Sequence, residues 1–201
     1  MNKAVIFDLD GTLIDSLGDI HAALNNVLQL RNAPPLALAT VRGLMGRGSA
    51  NLVRRALTVQ NLPIDEASWV SALAGFLRLY SADLAKLTTI FDGAIDALDR
   101  LRGGGFCLGI CTNKPLAPTK IVLNQFGLRR FFDTVVFGDH LASRKPHPAM
   151  LFRAMACLDS KSCLFVGDSE IDRETATAAS QPFALFTKGY RTSSIEMLNP
   201  E

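Results

Sequence analysis

Short apolar runs alternate along this chain with longer stretches in which apolar side chains recur every three or four positions. The short runs predict five β-strands, at Ala4–Phe7, Cys107–Cys111, Thr134–Phe137, Cys163–Val166 and Phe183–Phe186. Because each run is almost continuously apolar, we expect every strand to be buried on both faces, which is typical of a parallel sheet.

The stretches between these strands carry the 3.6-residue period of amphipathic helices. Their clearest apolar stripes are Ala94, Ile95, Leu98 and Leu101, and then Leu151, Ala154, Met155 and Leu158. This alternation of strands and helices predicts an α/β domain with a doubly wound parallel sheet of Rossmann-like form. Gly103-Gly104-Gly105 marks a tight connection before the second strand.

The alternation is interrupted between residues 16 and 86, where the pattern is helical throughout. Ser16 and Asp19 have the spacing of a capping box, which would begin a helix there. Two apolar stripes follow: Ile20, Leu24, Val27 and Leu28, and then Trp69, Leu73, Phe76, Leu77 and Tyr80. We predict a small α-helical domain at residues 16–86, inserted into an α/β core formed by residues 1–15 and 87–201.

The composition is that of an ordinary globular protein. Of the 201 residues, 48% are hydrophobic and 20% are charged, so the chain can bury a core and is not predicted to be disordered. The net charge of +2 is too small to indicate nucleic acid or an anionic membrane surface as a partner. Residues 15–86 hold seven Lys or Arg and five Asp or Glu, an excess that chance explains easily and that would also suit a lid over an anionic substrate.

No segment predicts a membrane span, a secretory leader or a zinc site. The apolar runs stay well below the roughly 18 residues that cross a bilayer, and the first run soon meets Asp8. We therefore expect a cytoplasmic protein. The four cysteines form no Cys-x-x-Cys pair, and Cys107 and Cys111 lie in a predicted strand as small buried hydrophobic residues.

The strongest chemical signal is Asp8-Leu9-Asp10-Gly11-Thr12, which comes directly after the first strand. Ligands of open α/β sheets bind outside the carboxyl ends of the strands, so the position suits a site. Two carboxylates held close together raise one pKa unless a cation joins them. The pattern therefore indicates an acid–base pair, a metal site or both, whereas the alternative is a solvated turn or helix cap.

Polar clusters also follow the next three predicted strands. Thr112 and Asn113 begin a helix, whose free amide groups suit a phosphate. Lys145 precedes a proline that restricts its backbone. Asp168 and Asp172 are four positions apart, a spacing that predicts one helical face. Each cluster alone could be a helix cap or a surface charge, but four at successive strand ends predict a built site.

In order and spacing, these motifs resemble the haloacid dehalogenase superfamily of phosphatases, and within it the phosphoglycolate phosphatase group. The matching segments are Asp8–Thr12, Thr112–Lys114, Lys145–Pro148 and Gly167–Asp172, and the likeness covers nearly the whole chain. It implies a core of haloacid dehalogenase type with a small helical cap, Mg²⁺ as cofactor, and a small phosphorylated metabolite as partner. Ala179-Ser180 stands where the family usually has Ala-Gly.

The resemblance also implies roles for individual residues. Asp8 would be the nucleophile that becomes phosphorylated, and Asp10 the acid that protonates the leaving group and then activates water. Mg²⁺ would be held by the carboxylates of Asp8 and Asp168 and the backbone carbonyl of Asp10, with Asp172 orienting these ligands from behind. The phosphoryl oxygens would be bound by Thr112, Asn113 and Lys145. Arg47, in the Gly43–Gly48 loop, would contact a substrate carboxylate.

Two other functions remain open from the sequence. One is another phosphatase, or a phosphosugar mutase, of the same superfamily. The other is a regulatory or binding protein that kept the fold without turnover, although Asp8, Asp10, Asp168 and Lys145 are all retained. An acid at position 10 favours completed phosphoryl transfer, because the family's dehalogenases lack it and P-type ATPases have Thr there. No pattern indicates an oligomeric state.

Overall fold

The computed structural model describes residues 3–198. In chain order its elements are β1 (Ala4–Phe7), β2 (Ile14–Asp15), α1 (Leu17–Gln29), α2 (Leu38–Leu44), α3 (Gly48–Val59), α4 (Glu66–Ala82), β3 (Thr89–Ile90), α5 (Ala94–Gly103), β4 (Cys107–Cys111), α6 (Leu116–Gln125), a 3₁₀ turn (Leu128–Phe131), β5 (Thr134–Val136), α7 (Ala149–Cys157), β6 (Cys163–Gly167), α8 (Glu170–Ala178), β7 (Phe183–Leu185) and α9 (Ile195–Leu198).

The core is a five-stranded parallel sheet in the order β5-β4-β1-β6-β7. All four residues of the central strand β1 are buried, and they alternate between two apolar clusters. Val5 and Phe7 belong to one cluster, and Ala4 and Ile6 to the other. The sheet is therefore covered on both faces, which confirms the predicted doubly wound α/β class and explains the continuous apolar runs.

The predicted strand positions are correct to within one residue at each end. Strand β5 ends at Val136, because the Phe137 N–H donates to Nδ1 of His140. The connection before β4 is the glycine segment, in which Gly105 has a φ of 78°. Cys111 is buried in β4 as expected, and Cys107 is half-buried. Across residues 3–198, no helix is both long and apolar enough for a membrane span.

Helices α1 to α4 lie between the two short strands β2 and β3. These strands pair antiparallel, with Ile14 opposite Ile90 and Asp15 opposite Thr89. The chain thus leaves the core and returns to it through one two-stranded ribbon. Within the helices, the apolar stripes of α1 and α4 are buried or half-buried against the larger core cluster. The division into two domains at residues 16–86 stays a prediction.

The predicted capping box at the start of α1 is wrong. The Ser16 side chain does not cap the helix, because its Oγ donates to Oδ1 of Asp10 at 2.7 Å. The Asp19 carboxylate instead accepts hydrogen bonds from the N–H groups of Leu87 and Thr88, at 2.9 and 3.0 Å, and from the Thr88 hydroxyl. Asp19 therefore attaches α1 to the chain that returns to the core.

Asp19→Ala is expected to lower the free energy of unfolding by about 2–4 kcal/mol, because it leaves the N–H and hydroxyl of the buried Thr88 without their charged acceptor. Asp99→Ala removes an exposed acid from α5 and should change it by less than about 0.5 kcal/mol. Urea unfolding of both variants measures the difference. Equal, small effects would mean that Asp19 does not hold this junction.

Candidate active site

The carboxyl ends of the parallel strands meet at one edge of the sheet, and the predicted site residues gather there. Asp8 follows β1, Thr112 follows β4 and Asp168 follows β6. Asp8 is buried, and its N–H donates to the Val166 carbonyl at 2.8 Å. This hydrogen bond extends the pairing of β1 with β6 by one residue. The structure therefore brings together side chains that lie up to 160 positions apart in the sequence.

Three carboxylates form a tight cluster at this edge. Oxygen atoms of Asp8, Asp168 and Asp172 all lie within 4.8 Å of one another. Asp168 accepts from the Thr12 hydroxyl at 2.9 Å and from the Tyr190 N–H at 2.6 Å. These two contacts hold the Asp168 carboxylate in its place within the cluster.

The prediction that Asp168 and Asp172 share a helical face is wrong. Asp168 precedes α8, and Ser169 is the N-cap of that helix. Asp172 Oδ2 turns back to accept from the N–H groups of Asp168 and Ser169 and from the Ser169 hydroxyl. Helix α8 thus begins with a true capping box, which directs Asp172 into the site.

Lys145 is the cation that pairs with two of these three acids. Its Nζ lies 2.6 Å from Asp172 Oδ1 and 2.9 Å from Asp8 Oδ1. Asn113 holds the Lys145 backbone, accepting from its N–H at 2.9 Å and donating to its carbonyl at 3.0 Å. Burial alone would lower the pKa of Lys145, but Asp172 and Asp8 raise that pKa above its usual value, so the side chain stays cationic.

One lysine does not balance three buried acids. Burial is the main reason that the pKa of Asp8 is raised to about 7, because Lys145 opposes the shift and Asp172 adds to it. Burial also raises the pKa of Asp168, and Asp172 and Asp8 add to that effect. Deprotonation of all three acids therefore requires additional positive charge at this point.

The cluster fits a hard divalent cation such as Mg²⁺. Asp8 Oδ1 is buried and, among the described residues, receives no hydrogen bond, because Lys145 approaches it outside hydrogen-bonding geometry. Both oxygens of Asp172 are already occupied by Lys145 and by the start of α8. Both oxygens of Asp168 also accept hydrogen bonds, so Asp8 Oδ1 is the carboxylate oxygen of this cluster that has no hydrogen-bond partner and can be offered to a metal, and Mg²⁺ prefers such ligands.

Asp10 has its own cation, which sequence reasoning missed. Lys114 Nζ lies 2.9 Å from Asp10 Oδ1 and 3.1 Å from Oδ2, and it also contacts the Tyr80 hydroxyl. Lys114 belongs to the Thr112–Lys114 motif, but nothing in that motif indicated its partners. The two acids of the first motif thus form ion pairs with two different lysines, Asp10 with Lys114 and Asp8 with Lys145.

A small cavity lies above Asp8 and Asp10, with a volume of about 50 Å³. Its polar lining includes Thr112, Asn113 and Lys114, and its apolar lining includes Ile20, Leu52 and Phe76 from the helices. Thr112 and Asn113 therefore line the same cavity as the two acids, but the prediction that they begin a helix is wrong, because α6 begins at Leu116.

The Met45–Gly48 loop covers this edge of the sheet. Asn113 Nδ2 donates to the Gly46 carbonyl at 3.0 Å, and Gly46 and Gly48 have φ angles of 100° and 79°. A Cβ atom on Gly48 would lie only 3.1 Å from the Asn113 carbonyl oxygen, so the loop needs glycine to approach so closely.

Arg47 is exposed and lines a second cavity of about 190 Å³, which also reaches Asp8 and Asp168. Two further arginines that the sequence did not single out, Arg42 and Arg55, line the same cavity. Arg42 donates to the Gly189 carbonyl at 3.2 Å, whereas Arg55 donates to the carbonyl of Gly43 in its own segment. A contact between Arg47 and a substrate carboxylate stays a prediction.

The segment after β7 supplies a further element of the site, which was also missed. A Cβ atom on Gly189 would overlap the Asp168 side chain and the Gly11 carbonyl. The Tyr190 hydroxyl accepts from the Ser16 N–H at 2.8 Å and donates to Asp15 at 2.9 Å. Gly189 follows the fifth strand of the sheet as Gly11 follows the first, and this likeness was the sequence signal that could have indicated a site segment there.

Comparison with known proteins identifies the family of this chain. A family model described as haloacid dehalogenase-like hydrolase matches residues 5–186. The chain belongs to this family. The family resemblance and the hydrolase class predicted from the motifs are thereby confirmed.

Relatives of this haloacid dehalogenase-like hydrolase carry a more specific name. Phosphoglycolate phosphatase from Cereibacter sphaeroides (strain ATCC 17029 / ATH 2.4.9) is 42% identical over 194 residues, covering 96% of this chain and 89% of the relative. Phosphoglycolate phosphatase from Rhodobacter capsulatus is 40% identical over 198 residues, covering 98% and 90%. The crystal structure of a predicted phosphoglycolate phosphatase from Haemophilus somnus 129PT superposes with a TM-score of 0.90 at 29% identity, covering 99% and 92%.

Gly189→Ala tests whether the segment after β7 sets the position of Asp168 in this hydrolase. The added Cβ would displace the carboxylate, and disturbing the support of a metal ligand typically weakens metal binding about 10–100-fold. We expect a comparable rise in the Mg²⁺ concentration required for half-maximal phosphate release. Calorimetric titration of Mg²⁺ provides a second readout.

Gly103→Ala is the matched control, because a Cβ atom there meets nothing within 4 Å. It should leave the Mg²⁺ requirement unchanged. If Gly189→Ala also leaves it unchanged while remaining folded, the segment after β7 does not position Asp168.

Proposed function

We propose that this protein is a Mg²⁺-dependent phosphatase that hydrolyses a small phosphate monoester, 2-phosphoglycolate, through a phosphorylated Asp8. The observation that carries the proposal is the buried Asp8 carboxylate, which faces a small cavity and lies beside Lys145 and two further acids. The shared name of relatives about 40% identical over nearly the whole chain supports the choice of substrate.

Asp8 is the proposed nucleophile. Its attack on phosphorus forms the Asp8–phosphate bond and releases the alkoxide of the substrate. Lys145, only 2.9 Å from Asp8, would hold a phosphoryl oxygen and offset its charge as the bond forms. Thr112 and Asn113, which line the same cavity, would bind the other phosphoryl oxygens.

Asp8, Asp168 and the backbone carbonyl of Asp10 are the proposed Mg²⁺ ligands. When bound, the metal supplies positive charge that reduces the repulsion between the phosphoryl oxygens and the attacking carboxylate. Asp172 would not touch the metal. It would hold Lys145 and the Asp168 backbone in place, as its contacts indicate.

Asp10 is the proposed acid and base. It would give a proton to the departing alkoxide, so that glycolate leaves as an alcohol. It would then accept a proton from the water that cleaves the acyl phosphate and regenerates Asp8. One residue can serve both steps because they require opposite proton transfers.

Residues 16–86 would form the cap that encloses the substrate. The apolar lining contributed by α1, α3 and α4 would exclude water, and the small volume suits a short metabolite rather than a polymer. Arg47 would bind the substrate carboxylate from the cap. A cytoplasmic location remains a prediction.

The decisive experiment measures phosphate release from 2-phosphoglycolate with Mg²⁺, beside sugar phosphates, nucleotides and pyrophosphate. We expect preferred turnover of 2-phosphoglycolate, abolished by chelator and by Asp8→Asn. Preferred turnover of another ester, still lost in Asp8→Asn, would keep the chemistry and reject the substrate. Transfer of the phosphate to a sugar phosphate would indicate a mutase, and absence of all turnover would indicate a binding protein.

Arg47→Met is expected to raise the KM for 2-phosphoglycolate about tenfold or more, because a charge-assisted hydrogen bond contributes about 1.5–3 kcal/mol. Turnover of ethyl phosphate, which has no carboxylate, should change little. Arg54→Met removes an exposed arginine from α3 and controls for the loss of charge on the cap. Equal losses on both esters would show that Arg47 does not recognise the carboxylate.

A further inference from the structure

Lys114 is a buried lysine that the phosphatase chemistry above leaves without a role. The residue is 5% exposed, and its Nζ contacts both Asp10 oxygens and the Tyr80 hydroxyl. An ammonium group has three N–H donors, so these three contacts use all of them. In this arrangement Lys114 has no donor left for a phosphoryl oxygen, in contrast to Lys145.

The side chains that hydrogen-bond to the Asp10 carboxylate in the described part of the chain come from junctions between elements. Ser16 Oγ donates to Oδ1 at 2.7 Å from the start of α1, and Lys114 reaches Asp10 from the segment after β4. Tyr80, which contacts Lys114, lies in the last turn of α4. The network therefore links the core to both ends of the helical segment.

The side chains of this network, Tyr80 and Lys114, are buried. The Tyr80 ring is 3% exposed and stacks on Phe76, with ring centroids 5.5 Å apart. The Lys114 ammonium also lies 4.8 Å from the centroid of the Tyr80 ring. A lysine withdrawn from water in this way is stable only with close partners, so Lys114 and Asp10 restrict each other's position.

We propose that Lys114 is a positioning residue that holds the Asp10 carboxylate in line for proton transfer, and that Tyr80 fixes Lys114 in that role. This inference rests on the proposed phosphatase function. Proton transfer requires the donor within hydrogen-bond reach of the reacting oxygen, so loss of orientation at Asp10 lowers kcat rather than substrate binding. Because Tyr80 belongs to α4, the orientation depends on the helical segment lying against the core.

The test is a double-mutant cycle on phosphate release from 2-phosphoglycolate. Lys114→Met should lower kcat about tenfold or more with little change in KM, as a fraction of the 10²–10⁴-fold that general acid–base catalysis contributes. In an Asp10→Asn background the same substitution should lower kcat less than about twofold, since the residue it positions is already disabled.

Three further variants separate a positioning role from a general effect of lost charge or lost stability. Lys114→Arg should recover part of kcat because it restores the cation. Tyr80→Phe, which keeps the ring stacked on Phe76, should lower kcat by less than Lys114→Met does. Lys120→Met removes an exposed lysine from α6 and should leave kcat unchanged. Thermal unfolding of each variant shows whether it is folded.

The outcomes distinguish this inference from the proposed function. Losses that multiply independently in the double variant, or a rise in KM for Lys114→Met, would mean that Lys114 acts on the substrate and would overturn the positioning role. If Lys114→Met does not fold, Tyr80→Phe carries the same cycle with Asp10→Asn. If the unmodified protein releases phosphate from no ester, the proposed function itself fails, and the positioning role fails with it.

Discussion

The structure depends on a buried imbalance of charge at the carboxyl edge of its parallel sheet. Asp8, Asp168 and Asp172 meet there, and Lys145 pairs with Asp8 and Asp172, in surroundings that raise the pKa values of Asp8 and Asp168. Such a cluster is costly to maintain in an apolar interior. Nearby strand ends, helix starts and turns stabilise the cluster by supplying hydrogen bonds or a cation. A bound divalent ion would complete the compensation of its negative charge.

The backbone conformation around the cluster allows several chain segments to approach these carboxylates closely. Gly11 and Gly189 let two chain segments approach Asp168 where any side chain would collide with it. The Tyr190 N–H and the Thr12 hydroxyl then fix the carboxylate, while the capping box of α8 aims Asp172 at Lys145. Displacing one of these turns would therefore also displace a carboxylate of the proposed active site.

The two acids of the first motif pair with different lysines: Asp10 forms an ion pair with Lys114, and Asp8 forms one with Lys145. The partners of the Lys114–Asp10 pair in α4 and at the start of α1 connect the proposed proton-transfer residue to the helical segment, and the Met45–Gly48 loop is attached to the core through Asn113. The helical segment is therefore joined to the site by hydrogen bonds as well as apolar contacts. This arrangement suits an enzyme that performs its chemistry only in an enclosed cavity.

The sequence by itself determined the strands, the α/β class and the residues at the strand ends, because these depend on local periodicity and on the rule that parallel strands place their carboxyl ends together. It also indicated Asp8, Asp10, Lys145 and Asp168, since their motifs are contiguous. Only the tertiary structure decided the partners of Ser16, Asp19, Lys114 and Tyr190, which bind residues between 6 and 175 positions away. A local pattern cannot distinguish a serine that caps its own helix from one that reaches another segment, because both have the same spacing in the chain.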